Sequence, residues 1–154
     1  MDLCDLLAPD GIIASLRATS KKHALQELAT IAAERTDLDS REIFNTLLQR
    51  ERLGSTGLGR GIAIPHVKLR GLQGIVCLFA RLEEPIEYES HDNEPVDLVF
   101  LLLAPEHASG DHLKALASIS RVVREPSILD ALRNAGDEAA LHSALTLMAP
   151  SHAA

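Results

Sequence analysis

The chain has 154 residues and a mass of 16.6 kDa, which is room for one domain because single domains cluster at roughly 100–150 residues. A composition of 46% apolar and 24% charged residues excludes the disordered, collagen-like and disulfide-scaffold classes. The net charge of −7 and the aromatic content of 3% argue against nucleic-acid binding, which needs clustered cations and stacking side chains.

The sequence predicts neither membrane insertion nor export. The longest apolar run, Leu98–Ala104, is seven residues, far short of the roughly 20 that cross a bilayer. The N-terminal sequence MDLCDLLAPD carries acidic residues where a signal peptide carries basic ones. We therefore expect a cytoplasmic protein whose two cysteines stay reduced.

In the first half of the chain, apolar periodicity predicts helices and strands in alternation, with no linker or internal repeat between them. Asp39 and Glu42 have the spacing of a capping box at the start of one of the helices, and Gly54 ends that helix. The segment Gly54–Gly61, GSTGLGRG, is predicted to be a loop. The predicted elements are helices over Asp2–Leu7, Ser20–Arg35 and Asp39–Leu53, and strands over Ile12–Leu16 and Ile62–Ile64.

In the second half, two strands are followed by three helices, each preceded by an N-cap residue or a Gly or Pro break. The strand over Val96–Leu103 is nearly all apolar, as expected for a central strand covered on both faces. The other predicted elements are a strand over Gly74–Leu82 and helices over Ser109–Arg124, Ser127–Ala135 and Asp137–Ala149. These patterns predict an α/β fold with a mixed β-sheet sandwiched between helices, as one domain over residues 1–150 with a tail at 151–154.

The glycine-rich loop matches no nucleotide-binding motif. Gly54 and Gly59 have the outer spacing of a P-loop, but Arg60 and Gly61 stand where Lys and Ser/Thr would contact phosphate and magnesium. The dinucleotide fingerprint fails because no helix opens after the glycines, and Ser55 lacks the flanking pattern of a serine-hydrolase nucleophile. We therefore expect no nucleotide.

The same loop has the makings of an anion cradle. Ser55, Thr56 and Gly57 offer hydroxyl and backbone N–H groups that hold phosphoryl oxygens, and the rigid Pro65 presents His66 shortly afterwards. The unprotonated nitrogen of a neutral imidazole is a competent nucleophile. On spacing alone, however, a plain turn and a structural histidine at the end of a strand remain the favoured alternative.

The segment EHASGDH, with His107, Asp111 and His112, matches no strong metal-binding spacing, and its polarity is explained by a junction between a loop and a helix. We expect no metal and no other cofactor.

The stretch Arg50–His66, RERLGSTGLGRGIAIPH, resembles the signature of the phosphotransferase-system enzyme IIA domains of the fructose, mannitol and nitrogen-regulatory family. The resemblance continues through Asp92–Leu98 (DNEPVDL), the end of the apolar strand at Ala104-Pro105 and His112-Leu113, and so covers nearly the whole chain. The early Ser20-Lys21-Lys22 and the freestanding length are most similar to the nitrogen-regulatory branch.

This resemblance implies that His66 accepts a phosphoryl group from a small histidine phosphocarrier (HPr-like or NPr-like). It also implies that His112 donates a hydrogen bond to the phosphoryl group and that Arg50 stabilises its charge. The predicted positions of the two residues agree with these roles. His112 falls in the first turn of a predicted helix, where the helix dipole favours the neutral ring. Arg50 falls one helical turn before the glycine-rich loop. A satisfied core histidine and a surface ion pair are the respective alternatives.

The resemblance further implies an enzyme of the phosphohistidine phosphotransferase type that signals to regulatory target proteins through its phosphorylation state, in nitrogen- or potassium-type regulation. Because donor and targets are proteins, we expect a shallow site with an apolar docking patch that includes Leu58 and Ile62. The alternatives are a sugar-specific IIA that passes phosphate to a permease component, and a binding module that is never phosphorylated. Val67 departs from the glycine that follows the Pro-His motif in many members, and a β-branched residue resists positive φ.

Overall fold

The fold is a mixed β-sheet with helices on both faces, seen in a computed structural model that describes residues 3–7, 9–107 and 110–146. Within these residues no helix combines the length and the apolarity needed to cross a bilayer. The helices are α1 (Leu3–Leu6), α2 (Lys21–Glu34), α3 (Ser40–Leu53), α4 (Asp111–Val123), α5 (Pro126–Asn134) and α6 (Glu138–Thr146), with a 3-10 turn at Pro9–Gly11. The strands are β1 (Ile12–Leu16), β2 (Gly57–Gly59), β3 (Ile62–Ala63), β4 (His66–Leu69), β5 (Val76–Ile86) and β6 (Val96–Pro105).

Strand β6 organises the sheet, whose order is β1-β5-β6-β3-β2 with β4 also paired to β6. On one side β6 is antiparallel to β5, which in turn is parallel to β1. On the other side, β3 runs parallel to the first half of β6 and β4 parallel to its second half, so that His66 pairs with Leu102. The sheet therefore presents β4, and with it His66, along an edge.

The two faces of the sheet bury separate apolar clusters, because successive side chains of β6 alternate between them. Val99, Leu101 and Leu103 pack with α2 and α3. Leu98, Phe100 and Leu102 pack with α1, α4, α5 and α6. This confirms the predicted sheet between helices, and it explains why β6 lacks polar alternation.

The predicted helix boundaries agree closely with the structure. Ser20 accepts a hydrogen bond from the N–H of His23 as the N-cap of α2, and Asp39 accepts one from Arg41 as the N-cap of α3. The predicted last helix extends to Ala149, and its residues 147–149 lie outside the described part of the chain, as does the 151–154 tail.

Two corrections concern the region around the glycine loop. Residues 57–59 were predicted as loop but form β2, which makes a hairpin with β3 through Arg60 and Gly61. Both connecting residues have positive φ, 57° and 82°, as a type I′ hairpin turn requires. The chain was also predicted to leave the sheet at His66, whereas it continues as β4.

Val67 lies in β4 and packs against the cluster on the α2 and α3 face. Outside glycine, the described residues adopt positive φ only at Arg60, Glu89 and Asn93. Val67 therefore takes an extended conformation that suits a β-branched side chain, and the position needs no glycine in this chain.

Candidate functional site

A groove of about 530 Å³ opens beside β4 and brings together three of the residues singled out from the sequence, Arg50, His66 and His112. It lies between α3, β4 and α4. Four of its residues, Thr46, Gln49, Arg50 and Leu53, come from one face of α3, since helical positions three and four apart share a face. The remaining lining residues are His66, Val67, Lys68, Leu102, Ala104 and His112.

The groove is positively charged although the chain carries a net charge of −7. Arg50 and Lys68 line it together with the two histidines, and none of the described residues that line it is acidic. Lys68 was missed by the sequence analysis because β4 was not predicted. Once β4 is known, alternation places Lys68 on the same side of the strand as His66. Such a surface suits an anionic group.

Of the two ring nitrogens of His66, Nδ1 is engaged, and Nε2 has no hydrogen-bond partner among the described residues. Nδ1 lies 2.7 Å from the carbonyl oxygen of Ile64. A carbonyl only accepts hydrogen bonds, so Nδ1 carries the proton and donates it there. In the neutral ring, Nε2 then keeps its lone pair. The Ile64 carbonyl thus selects the tautomer in which Nε2 carries the unshared lone pair.

His112 lies in the first turn of α4. Its Nδ1 atom is buried and has no hydrogen-bond partner within the part of the chain that the structure describes. A satisfied core histidine, the alternative for this residue, would have such a partner. An N–H at that atom would be buried without an acceptor, which is costly, so the neutral ring places its proton on Nε2.

Arg50 donates from Nη1 to the carbonyl oxygen of Gly54, 2.9 Å away, at the end of α3. A guanidinium has five N–H donors, and this bond leaves others for an anion in the groove. Arg50 forms no ion pair with any of the described residues.

The predicted phosphate loop is not among the residues that line the groove, and four of its hydrogen-bond donors are used within the protein. The Ser55 hydroxyl donates to the carbonyl oxygen of Tyr88, 2.9 Å away, and the Gly57 N–H donates to Ser55 Oγ at 3.1 Å. Thr56 donates both its N–H and its hydroxyl to the carboxylate of Glu51. Burial, followed by the charge of Glu51, raises the pKa of the Tyr88 phenol that adjoins Thr56.

His91 and Asp92, which follow Tyr88 in the chain, form hydrogen bonds with this loop. The N–H of His91 donates to the carbonyl of Gly57, and the N–H of Arg60 donates to Asp92. Hydrogen bonds from Arg60 and Glu94 hold the pKa of the Asp92 carboxyl below its usual value. The loop is therefore a braced hairpin rather than an open cradle.

Of the two residues predicted for the docking patch, one is exposed and the other is buried. Leu58 is exposed, at 47%, but Ile62 is 1% exposed and packs in the core on the α4 face, so Ile62 offers no docking surface. Sequence reasoning missed two other exposed leucines, Leu53 on the groove wall and Leu113 next to His112.

Comparisons with known proteins identify the family of this chain and the structures that share its fold. The sequence pattern of the family described as "Phosphoenolpyruvate-dependent sugar phosphotransferase system, EIIA 2" matches residues 5–147. The chain therefore belongs to this family of phosphotransfer components.

Among its relatives, the chain is 55% identical to a nitrogen regulatory protein of Bradyrhizobium diazoefficiens over 147 residues, covering 96% of each. It superimposes on the crystal structure of nitrogen regulatory protein IIA-Ntr of Neisseria meningitidis with a TM-score of 0.88 at 33% identity, covering 94% of this chain and 99% of the other. The fold is shared with IIA mannitol of Escherichia coli, with a TM-score of 0.77 at 18% identity and coverage of 90% and 98%.

Proposed function

We propose that this protein is a regulatory phosphoryl carrier of the nitrogen-regulatory branch, which accepts a phosphoryl group on Nε2 of His66 from a small histidine phosphocarrier. The observation that carries the proposal is the shared groove of Arg50, His66 and His112, in which the Ile64 carbonyl leaves Nε2 of His66 free. The 55% identity to a nitrogen regulatory protein favours this branch over a sugar-specific IIA. We expect the protein to act in the cytoplasm.

In the proposed step, the lone pair of Nε2 forms a bond to the phosphorus of the carrier's phosphohistidine. The bond from phosphorus to the carrier's ring nitrogen breaks, and that nitrogen keeps the electron pair. All three terminal oxygens move with phosphorus, so the step consumes no water or nucleotide. The His66 ring gains positive charge, which the Ile64 carbonyl stabilises through the hydrogen bond at 2.7 Å from Nδ1.

The cations of the groove act on the phosphoryl oxygens. Arg50 and Lys68 offset the charge of a group held between donor and acceptor, and His112 donates a hydrogen bond from Nε2. We assign Ser55, Thr56 and Gly57 no phosphate contact, because their donors are engaged elsewhere. Their proposed role is to brace the segment in front of His66.

The phosphoryl group also provides the proposed signal. It adds about two negative charges to a basic groove, so a target protein that docks over the groove meets opposite electrostatics in the two states. Leu53, 85% exposed on the groove wall, and Leu113, 59% exposed beside His112, are the apolar contacts that we propose for these partners.

Intact-protein mass spectrometry at mildly alkaline pH tests the proposal, after incubation with phosphoenolpyruvate, enzyme I and the histidine phosphocarrier. We expect wild type and the control His107→Ala, at an exposed histidine, to gain one acid-labile phosphoryl group, and His66→Ala to gain none. Equal labelling of His66→Ala would refute the acceptor. No labelling of wild type by a carrier shown to be charged would favour a pure binding module.

A further inference from the structure

Lys21 and Glu51 form a largely buried ion pair, and neither residue lines the groove. Nζ of Lys21, the first residue of α2, is 3.0 Å from Oε1 of Glu51 in α3. The Glu51 side chain is 2% exposed and the Lys21 side chain 14%. The same Nζ sits 4.5 Å from the centre of the Tyr88 ring, so the ammonium is held by a charge and by an aromatic face.

Thr56 connects this ion pair to the hairpin. Its N–H donates to Glu51 Oε1 at 3.0 Å and its hydroxyl donates to Oε2. Because the single hydroxyl proton of Thr56 is used on Glu51, the Tyr88 hydroxyl 3.3 Å away is the donor to Thr56 Oγ1. Lys21, Glu51, Thr56 and Tyr88 thus form a directional network, which we call the Glu51 network.

The Glu51 network continues through two peptide groups to the acceptor histidine. The carbonyl oxygen of Thr56 accepts the N–H of Ile64 at 3.0 Å. The carbonyl oxygen of Ile64 in turn accepts from Nδ1 of His66. Thr56, which donates two hydrogen bonds to Glu51, therefore holds Ile64, and the carbonyl of Ile64 selects the His66 tautomer.

A second branch reaches Arg50. Glu51 follows Arg50 directly in α3, and its carbonyl accepts the N–H of Gly54 at 3.2 Å. Gly54 presents the carbonyl to which Arg50 donates, and Thr56 is fixed two residues later. Holding both ends of residues 51–56 fixes the Gly54 carbonyl, and with it one edge of the guanidinium.

We infer that the Glu51 network is a positioning unit, which sets the tautomer of His66 and the direction of Arg50 without touching the phosphoryl group. This inference rests on the proposed function for its consequence in phosphoryl transfer. A misplacement of about 1 Å away from the reacting atoms costs up to about a hundredfold in rate, so a network of this kind has kinetic weight. Its hydroxyl groups allow it to be tested with nearly isosteric variants.

The decisive pair is Thr56→Val and the matched control Thr56→Ser, because valine keeps the shape of Thr56 but loses the hydroxyl, and with it one of the two hydrogen bonds that hold Thr56 on Glu51. Long-range 1H–15N spectra of the unphosphorylated protein report the His66 tautomer, and rapid-quench transfer from the phosphorylated carrier reports rate and KM. For Thr56→Val we expect both His66 tautomers to appear and the transfer rate to fall roughly tenfold with KM within about twofold. Thr56→Ser keeps the wild-type tautomer and rate.

A wild-type tautomer and rate in folded Thr56→Val would overturn the inference. If Thr56→Val does not fold, Tyr88→Phe decides, since it keeps the ring and removes the hydroxyl that adjoins Thr56 and Glu51; unchanged spectra and rate in that variant contradict the network. The spectra need no phosphoryl transfer. Failure of wild type to accept a phosphoryl group therefore overturns the proposed function alone, whereas an unaltered tautomer overturns the positioning role alone.

Discussion

Replacing Lys21 by methionine leaves the Glu51 carboxylate buried without its counter-ion, and this makes a quantitative prediction about stability. Removing one partner of a buried pair costs about 3–5 kcal/mol. Glu51 retains the N–H and hydroxyl of Thr56, so we expect Lys21→Met to lie at the lower end, about 3 kcal/mol. For a chain of this size that corresponds to a fall in Tm of roughly 6–12 °C.

Replacing the other partner is expected to cost less. In Glu51→Gln the amide oxygen still accepts from Thr56, and the Lys21 ammonium is 3.6 Å from the 84% exposed Glu89. We expect a loss of about 1–2 kcal/mol. The double variant Lys21→Met/Glu51→Gln should lose about 1–2 kcal/mol less unfolding free energy than the two single variants lose together. The reason is that neither charge is then left without its partner.

The assay is urea unfolding followed by circular dichroism at neutral pH, with m-values compared across the variants. The control is Arg17→Met, which breaks the surface pair of Arg17 and Glu83 with side chains 85% and 39% exposed. We expect the control to cost under about 1 kcal/mol. A Lys21→Met loss no larger than that of Arg17→Met, at unchanged m, would refute the argument that burial gives this pair its weight.

Three further outcomes are expected. His112→Ala should slow transfer from the phosphorylated carrier by roughly 10–1,000-fold, because one hydrogen-bond donor to the phosphoryl group is lost, yet His66 should still be labelled at long times; rapid-quench assays measure this, and complete loss in a folded variant would contradict it. Gly61→Ala should lower the free energy of unfolding by about 2–4 kcal/mol in the same urea titration. Its φ is +82°, and an added Cβ would meet Arg133 Nη2 and lie 2.6 Å from Asp97 Oδ1. The control Gly74→Ala, whose Cβ would have no atom within 4 Å, should be nearly neutral. Hydrogen bonds from Arg60 and Glu94 hold the folded-state pKa of Asp92 below its ordinary 3.8, so the contribution of Asp92 to stability is present above pH 3.8 and disappears as pH falls through the folded value. Urea titrations should find Asp92→Asn less stable than wild type at pH 6, with the difference shrinking below pH 4. A difference independent of pH would argue against the hydrogen bonds from Arg60 and Glu94.

The order of helices and strands could be predicted from the sequence because apolar spacing records which face of each element is buried. The stripe of α3 and the apolar run of β6 are examples in which burial dictates residue type directly. Strands β2 and β4 were missed for physical reasons. Gly57–Gly59 has almost no side chain to pattern, and β4 has only four residues, so each is specified by its pairing partners β3 and β6 rather than by its own letters.

The candidate site divides in the same way. His66 and Arg50 could be found from a long motif, but Lys68 required knowledge of the strand that carries it. Lys21 lies in the basic pair Lys21-Lys22, where spacing gives no sign that one of the two lysines meets a buried carboxylate. Long-range electrostatic partners leave no periodic trace along a chain, because the residues that pair are distant in sequence.

The hydroxyls of Ser55 and Thr56 show why proximity in sequence misleads about phosphate contacts. Both stand about ten residues before His66 in a loop of glycines, which is the composition of an anion cradle. The buried Glu51 changes their role, since an ionised carboxylate that is 2% exposed needs donors nearby, and Thr56 supplies two. The donors that Thr56 uses on this internal anion are not available to an external one, and the Ser55 hydroxyl is used on the Tyr88 carbonyl. In the proposed transfer, the positive charge for the phosphoryl group therefore comes from Lys68 and from Arg50, which has N–H donors beyond the one bonded to Gly54, and His112 contributes a neutral hydrogen-bond donor.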